Sequence, residues 1–143
     1  YAFYECPALE VVTIPNSVEI IRDFAFYGCT ALEVVTMGNA VHTIDWGAFA
    51  DCAVLKVVTI GDSVHTIGNY AFYECPALEV VTIPNSVEII GDNAFWTNAT
   101  EFTCLIFLNE TLKGELQAKT YGGQLIECPA APPSMPPSHP PSL

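Results

Sequence analysis

The 143 residues are 51% apolar and only 14% charged, a composition that encloses a continuous core in one domain and excludes disorder of the whole chain. Sixteen acidic side chains against four basic ones give a net charge of −12, which repels phosphate backbones and anionic lipid head groups and argues against nucleic-acid binding. Glu, Asn or Pro interrupts every Val/Ile stretch before it reaches the roughly 20 residues of a spanning helix, so no membrane insertion is expected.

Read from Tyr1 onward, the chain repeats itself. Ala-Phe recurs at Ala2-Phe3, Ala25-Phe26, Ala48-Phe49, Ala71-Phe72 and Ala94-Phe95, each 23 residues after the last. The same step carries Cys6 to Cys29, Cys52 and Cys75, and Leu9 to Leu32, Leu55 and Leu78. It also carries Val12 to Val35, Val58 and Val81, and Ile21 to Ile44, Ile67 and Ile90. Tyr1 to Ile21 is identical to Tyr70 to Ile90, three periods on, which points to duplication of whole units. A period of this length specifies a solenoid, because one coil cannot enclose its own apolar side chains but stacked coils bury each column between neighbours.

Within a coil, Val12-x-Ile14 alternates as a strand does, and β-branched residues favour that state, so these segments are expected to line up as a parallel sheet. Pro15-Asn16, Gly38-Asn39, Gly61-Asp62 and Pro84-Asn85 follow with turn chemistry, the Asn or Asp side chain bonding its own backbone two residues on. A second short extended piece, such as Ser86 to Ile90, crosses the opposite side. Asp92 is then placed to cap a helical turn through Ala94-Phe95.

Each unit resembles the BspA-like class of leucine-rich repeats, whose pattern reads L-x-x-V-x-I-P-x-S-V-x-x-I-G-x-x-A-F-x-x-C. Leu78 to Asn93 followed by Ala94-Phe95 matches it almost letter by letter. The resemblance implies a β-rich (α/β-type) solenoid, a right-handed coil with a parallel β-sheet and short helical turns. It covers four repeats over residues 1–97. It also implies a non-catalytic binding or adhesion module at the cell surface or secreted, whose partner is a protein or a surface glycan or matrix ligand. An intracellular scaffold of the same fold is the alternative, with an ice- or mineral-binding Val/Thr ladder behind it.

The fifth coil departs from the pattern: Asn98 stands where Cys is expected, and Glu101 and Cys104 fall on the Leu and Val positions. One inserted residue restores the pattern, with Phe102, Leu105 and Phe107 in the Leu, Val and Ile places. Residues 98–128 therefore read as a degenerate last coil plus cap, and the Pro/Ser-rich residues 129–143 as a disordered spacer. The chain begins inside a repeat unit, so an exposed apolar end and further coils upstream of Tyr1 are expected.

The expected working surface is the outward side of the sheet, where Val11, Val34, Val57 and Val80 run beside Thr13, Thr36, Thr59 and Thr82. A third column, Tyr4, Tyr27, Tyr73 and Trp96 with Ala50 intervening, either supplies aromatic anchors or packs along the coil edge. Glu19, His42, His65 and Glu88 form a polar ladder with the donor types of a Zn²⁺ or Cu²⁺ site, but in a row rather than around a tetrahedron. The plain reading is a solvated ladder with mild pH sensitivity, and no metal or other cofactor is expected.

The four column cysteines are expected as buried free thiols, since parallel side chains disfavour bridging; Cys104 and Cys128 are a possible staple of the cap. Ser17, Ser63 and Ser86 lie on turns with no base or oxyanion hole in view. The acidic columns Glu5, Asp51, Glu74 and Glu10, Glu33, Glu79 are repeat-copied rather than unique residues flanking a cleft. No enzyme is expected. The sequons Asn98-Ala99-Thr100 and Asn109-Glu110-Thr111 mark exposed loops if the chain is secreted from a eukaryotic cell.

Overall fold

The structure is a computed structural model that describes residues 1–97 together with the backbone of strands at 104–107 and 126–127. Ten short strands follow in chain order: β1 (Val11–Thr13), β2 (Ile20–Ile21), β3 (Val34–Thr36), β4 (Thr43–Ile44), β5 (Val57–Thr59), β6 (Thr66–Ile67), β7 (Val80–Ile83), β8 (Ile89–Ile90), β9 (Cys104–Phe107) and β10 (Ile126–Glu127). They form parallel ladders on two sides of a β-solenoid. One side carries β1-β3-β5 and then a second block ordered β7-β9-β10, and the other carries β2-β4-β6-β8.

The sequence period is the pairing register. Val11 lies opposite Val34 and Val34 opposite Val57, while Ile21, Ile44, Ile67 and Ile90 pair in line on the second side. Strand β7 pairs with β9 one residue further on, Val81 opposite Leu105 and Ile83 opposite Phe107. This is the register that the single inserted residue requires. Strand β10 continues the stack, with Ile126 opposite Cys104. The remaining residues of 98–128, the tail 129–143, the Cys104–Cys128 pairing and both sequons lie outside the described residues.

The third side of each coil is not the expected helical turn. Phe24, Gly47, Tyr70 and Asn93, and four residues further on Gly28, Asp51 and Glu74, hold φ between 51° and 66°. An α-helix needs φ near −63° throughout, so two left-handed residues per coil leave only three residues between them and no helical turn forms. The left-handed φ aims each N–H along the stack instead. Phe24, Gly28, Gly47, Asp51, Tyr70 and Glu74 all donate to a carbonyl of the next coil at 2.7–3.0 Å, which offsets the steric cost of that conformation for a non-glycine residue. The turn that Asp92 was expected to cap is therefore not helical, and the Asp92 N–H donates to the Asn69 side chain at 2.8 Å.

Turns after the main strands form as expected, Val18, Val64 and Val87 donating back to Pro15, Gly61 and Pro84 at 3.1 Å. Their side-chain bonding differs. Asn16 Oδ1 accepts from the Asn39 N–H, one coil on, at 2.8 Å, and after β2 the Asp23 Oδ1 likewise accepts from Trp46 N–H at 3.1 Å. In a stack the nearest unsatisfied donor belongs to the neighbouring coil, so the local Asx turn gives way to an inter-coil bond.

The core is a set of columns. Phe3, Phe26, Phe49, Phe72 and Phe95 stack face to face with centroids 5.0–5.2 Å apart and planes within 5°. Leu32, Leu55 and Leu78, with Val35, Val58 and Val81, complete the interior. The column cysteines Cys29, Cys52 and Cys75 are buried free thiols and Cys6 a half-buried one. Each buried Sγ donates to the carbonyl of the phenylalanine one coil back, at 3.1–3.2 Å. Cysteine thus serves as a small apolar residue with one donor. At the first coil the stack end is open, and Phe3, Leu9, Val12, Val18 and Phe26 line an apolar cleft of about 600 Å³ there.

Candidate functional site

Strand alternation sets the outward surface of the main sheet. Val12, Val35 and Val58 point inward and are buried, so their neighbours point out. Thr13, Thr36, Thr59 and Thr82 are exposed, and Val11 and Val57 keep 61% and 50% of their surface open, with Val34 half-buried between them. Because the strands pair without slip, the valines form one straight row and the threonines a second, two residues along. Val80 and Thr82 lie on β7, where their backbone pairs with Cys104 and Ile106 of β9. Lys56 Nζ lies 3.3 Å from Glu33 Oε2 at the strand entrance, an exposed pair that relieves repulsion in the column running from Glu10 to Glu79.

This surface presents apolar and hydroxyl groups side by side. Apolar methyls alternate with hydroxyls, each able to donate and accept, and neither row carries a charge to desolvate. A contiguous row of exposed branched side chains is more than the scattered single apolar residues found on any protein.

The Glu/His ladder lies on the other side of the coil. Its backbone is a continuous inter-coil ladder, His42 N–H to Glu19, His65 to His42 and Glu88 to His65, each at 2.9 Å. His42 Nε2 stands 3.9 Å from Glu19 Oε2, with both groups substantially exposed, a spacing worth little free energy in water. Among the described residues, no three His, Cys, Asp or Glu side chains converge on a site that would hold a metal ion. Ser17 is exposed, but the Ser86 hydroxyl is buried without a partner rather than solvated.

The aromatic column is part of a wider belt than the sequence column of Tyr4, Tyr27, Tyr73 and Trp96. Tyr4 stacks on Tyr27 at 5.1 Å and Tyr73 on Trp96 at 5.0 Å. Edge-to-face against them stand Tyr1, Phe24 and Tyr70, from the position three residues earlier. Gly47 breaks that second row, and Trp46 fills the vacancy, 4.7 Å from Phe24 and 5.1 Å from Tyr70. The signal in the sequence was an aromatic residue one place before a glycine, in a column aromatic at Tyr1, Phe24 and Tyr70. The Tyr27 phenol donates to the Asp51 carboxylate, and that bond first, burial second, pushes its pKa up to about 12. Burial and then the charges of Glu74 and Asp51 push Tyr73 up as well.

No helix among the described residues is long and apolar enough to cross a membrane. The family model for BspA type leucine-rich repeat regions matches residues 1–113 in six copies. The crystal structure of a leucine-rich repeat protein from T. pallidum superposes with a TM-score of 0.70 at 26% identity, over 88% of this chain and 77% of that one. A leucine-rich repeat protein from Bacteroides ovatus gives a TM-score of 0.69 at 32% identity, over 78% of this chain and 28% of that one. No curated protein matches this sequence.

Proposed function

Because the chain belongs to the BspA-type leucine-rich repeat family, whose repeats commonly serve as protein-interaction modules, we propose that it is a non-catalytic binding module. Its partner is a protein or a matrix glycan, and it docks on the outward side of the main sheet. The observation that carries this reading is the straight double row of Val11, Val34 and Val57 beside Thr13, Thr36 and Thr59, held in register by parallel pairing. Such a row offers apolar contact and hydroxyl hydrogen bonds over several coils at once, as a partner lying along the stack requires. Adhesion at a cell surface is the setting in which a repeating surface of this kind works, since repeated contacts add through multivalency.

The test is binding to immobilised matrix proteins and glycans, measured by surface plasmon resonance for the parent, for Thr36→Lys with Thr59→Lys, and for Glu88→Lys on the opposite side. Circular dichroism checks that all three fold alike. Loss of at least about tenfold in affinity for the threonine variant alone is expected, since docking would bury two unpaired ammonium groups. Equal affinity in the parent and the threonine variant refutes the sheet as the docking surface.

A further inference from the structure

Consecutive coils are bonded to one another on three sides, and at one interface only two of the three are laced. On the main side, Ile14 N–H donates to Thr36 at 2.8 Å and Glu33 N–H to Glu10 at 2.8 Å, joining the first coil to the second. Met37 N–H to Thr59 at 3.1 Å and Lys56 N–H to Glu33 at 2.9 Å repeat those bonds between the second and the third. The equivalent donors at the next interface are Ile60 and Glu79, and neither N–H has such a bond among the described residues. Accordingly the ladder β1-β3-β5 stops at the third coil, and β7 opens a separate ladder with β9 and β10.

The other two sides cross the same interface without a break. On the second side β6 pairs with β8, Thr66 opposite Ile89, while Glu88 N–H donates to His65 at 2.9 Å and Gly91 N–H to Ile67 at 2.8 Å. On the third side Phe49 N–H donates to Ala71 at 2.7 Å and Asp51 N–H to Tyr73 at 2.8 Å. Inside, the Phe49 and Phe72 rings stack with centroids 5.2 Å apart. Burial agrees with a seam confined to the main side. Val58 keeps 7% of its surface exposed, close to the 8% of Val12 at the open stack end, whereas Val35 and Val81 in the same column keep none.

A solenoid is stabilised by the sum of its nearest-neighbour interfaces, so deformation concentrates where the coupling between coils is weakest. Backbone bonds and buried apolar contact set the free energy of local opening. At this interface the main side lacks the first and has lost part of the second. A weakness on one side gives rotation rather than separation, because the bonds of the intact sides act as the axis.

We propose that the seam between β5 and β7 is a hinge, about which the first three coils swing against the fourth while the second and third sides stay bonded. Its consequence for binding rests on the sheet surface proposed above. Thr59 and Thr82 are exposed on opposite sides of the seam, so a partner gripping both would fix the angle. The hinge itself is tested on the free chain, where failure of the docking surface has no influence.

Residual dipolar couplings of the isotope-labelled chain, weakly aligned in a stretched gel, are expected to need one alignment tensor for the first three coils and a different one for the fourth. A single tensor that fits all four coils overturns the proposal. Amide hydrogen exchange, followed by NMR on the same sample, locates the movement. Ile60 and Glu79 are expected to exchange at least about tenfold faster than Met37 and Lys56, their equivalents one coil earlier, while Glu88 and Asp51 stay as slow as His65 and Gly28. Protection of Ile60 equal to that of Met37 overturns the proposal. Fast exchange at Glu88 and Asp51 does so as well, since the coils would then part on all sides.

Discussion

Phe49 is the most informative residue to delete, because it sits mid-stack with no exposed surface, 5.0 Å from Phe26 and 5.2 Å from Phe72. Its site cannot collapse when emptied. The backbone bonds Phe26 N–H to Ala48 and Phe49 N–H to Ala71, both 2.7 Å, hold the coils at their spacing whatever side chain lies between. Phe→Ala at a rigid buried site costs about 3–5 kcal/mol, and losing two ring partners places Phe49→Ala at about 4–5 kcal/mol. Phe3 is the contrast: the same column, but 46% exposed and with one stacked partner. Removing the buried half of that ring costs about 1–2 kcal/mol. Urea unfolding, followed by far-ultraviolet circular dichroism and by tyrosine fluorescence, gives both values. A difference of at least about 2 kcal/mol between the variants is expected from nearest-neighbour stacking. Equal midpoints with equal slopes would mean that the phenyl column does not carry the stack, and would refute the reasoning.

Burial raises the pKa of the Cys29 thiol, and raises that of Cys75 well above the ordinary value. Cys29 and Cys75 for that reason, and Cys52 because it has no exposed surface, are expected to resist iodoacetamide in the native protein at mildly alkaline pH and to react in urea. Peptide mass mapping reads each one, and native labelling at the unfolded rate would contradict the thiol ladder. Tyr27 gives a titration signature. An unfolded phenol loses its proton near pH ~10, whereas in the folded chain the bond to Asp51 holds it to about 12. The stabilising contribution is thus complete below pH ~10 and is lost as pH rises through the folded value. Ultraviolet titration is expected to show a latest phenolate, from Tyr27, that moves back toward the ordinary range in Asp51→Asn, and an unchanged curve in that variant would remove the bond from the account.

The columns of the core were legible because in a solenoid the sequence period is itself the contact map. Residue 12 meets residue 35 for the same reason that both are valine. Even the irregular fifth coil could be registered, since only one inserted residue puts Leu105 and Phe107 opposite Val81 and Ile83. The third side was misread because helix-cap reasoning treats a segment as isolated. Asp92 before Ala94-Phe95 has the chemistry of a cap, but in the equivalent segments of earlier coils the N–H groups of Phe26 and Phe49 find acceptors one coil away. Gly28 and Gly47, each at one of the two left-handed positions, were the available sign. They were hard to weigh because Phe24, Asp51, Tyr70 and Glu74 occupy the same places in other coils without the freedom of glycine. Asn16 was misjudged for the same reason: its side chain bonds the next coil rather than its own turn.

In a chain built by repetition, residues that keep the period are explained by the stack, and any specific role falls to the departures from it. A departure can still be structural if the chain itself compensates for it. Lys56 interrupts a column of glutamates and pairs with Glu33, which softens a like-charge ladder. Trp46 compensates for Gly47, where a side chain would press on the Phe24 ring at 3.1 Å. Ala50 differs from both, because deleting a ring from a stacked row forfeits contact on two faces and no neighbouring ring restores it.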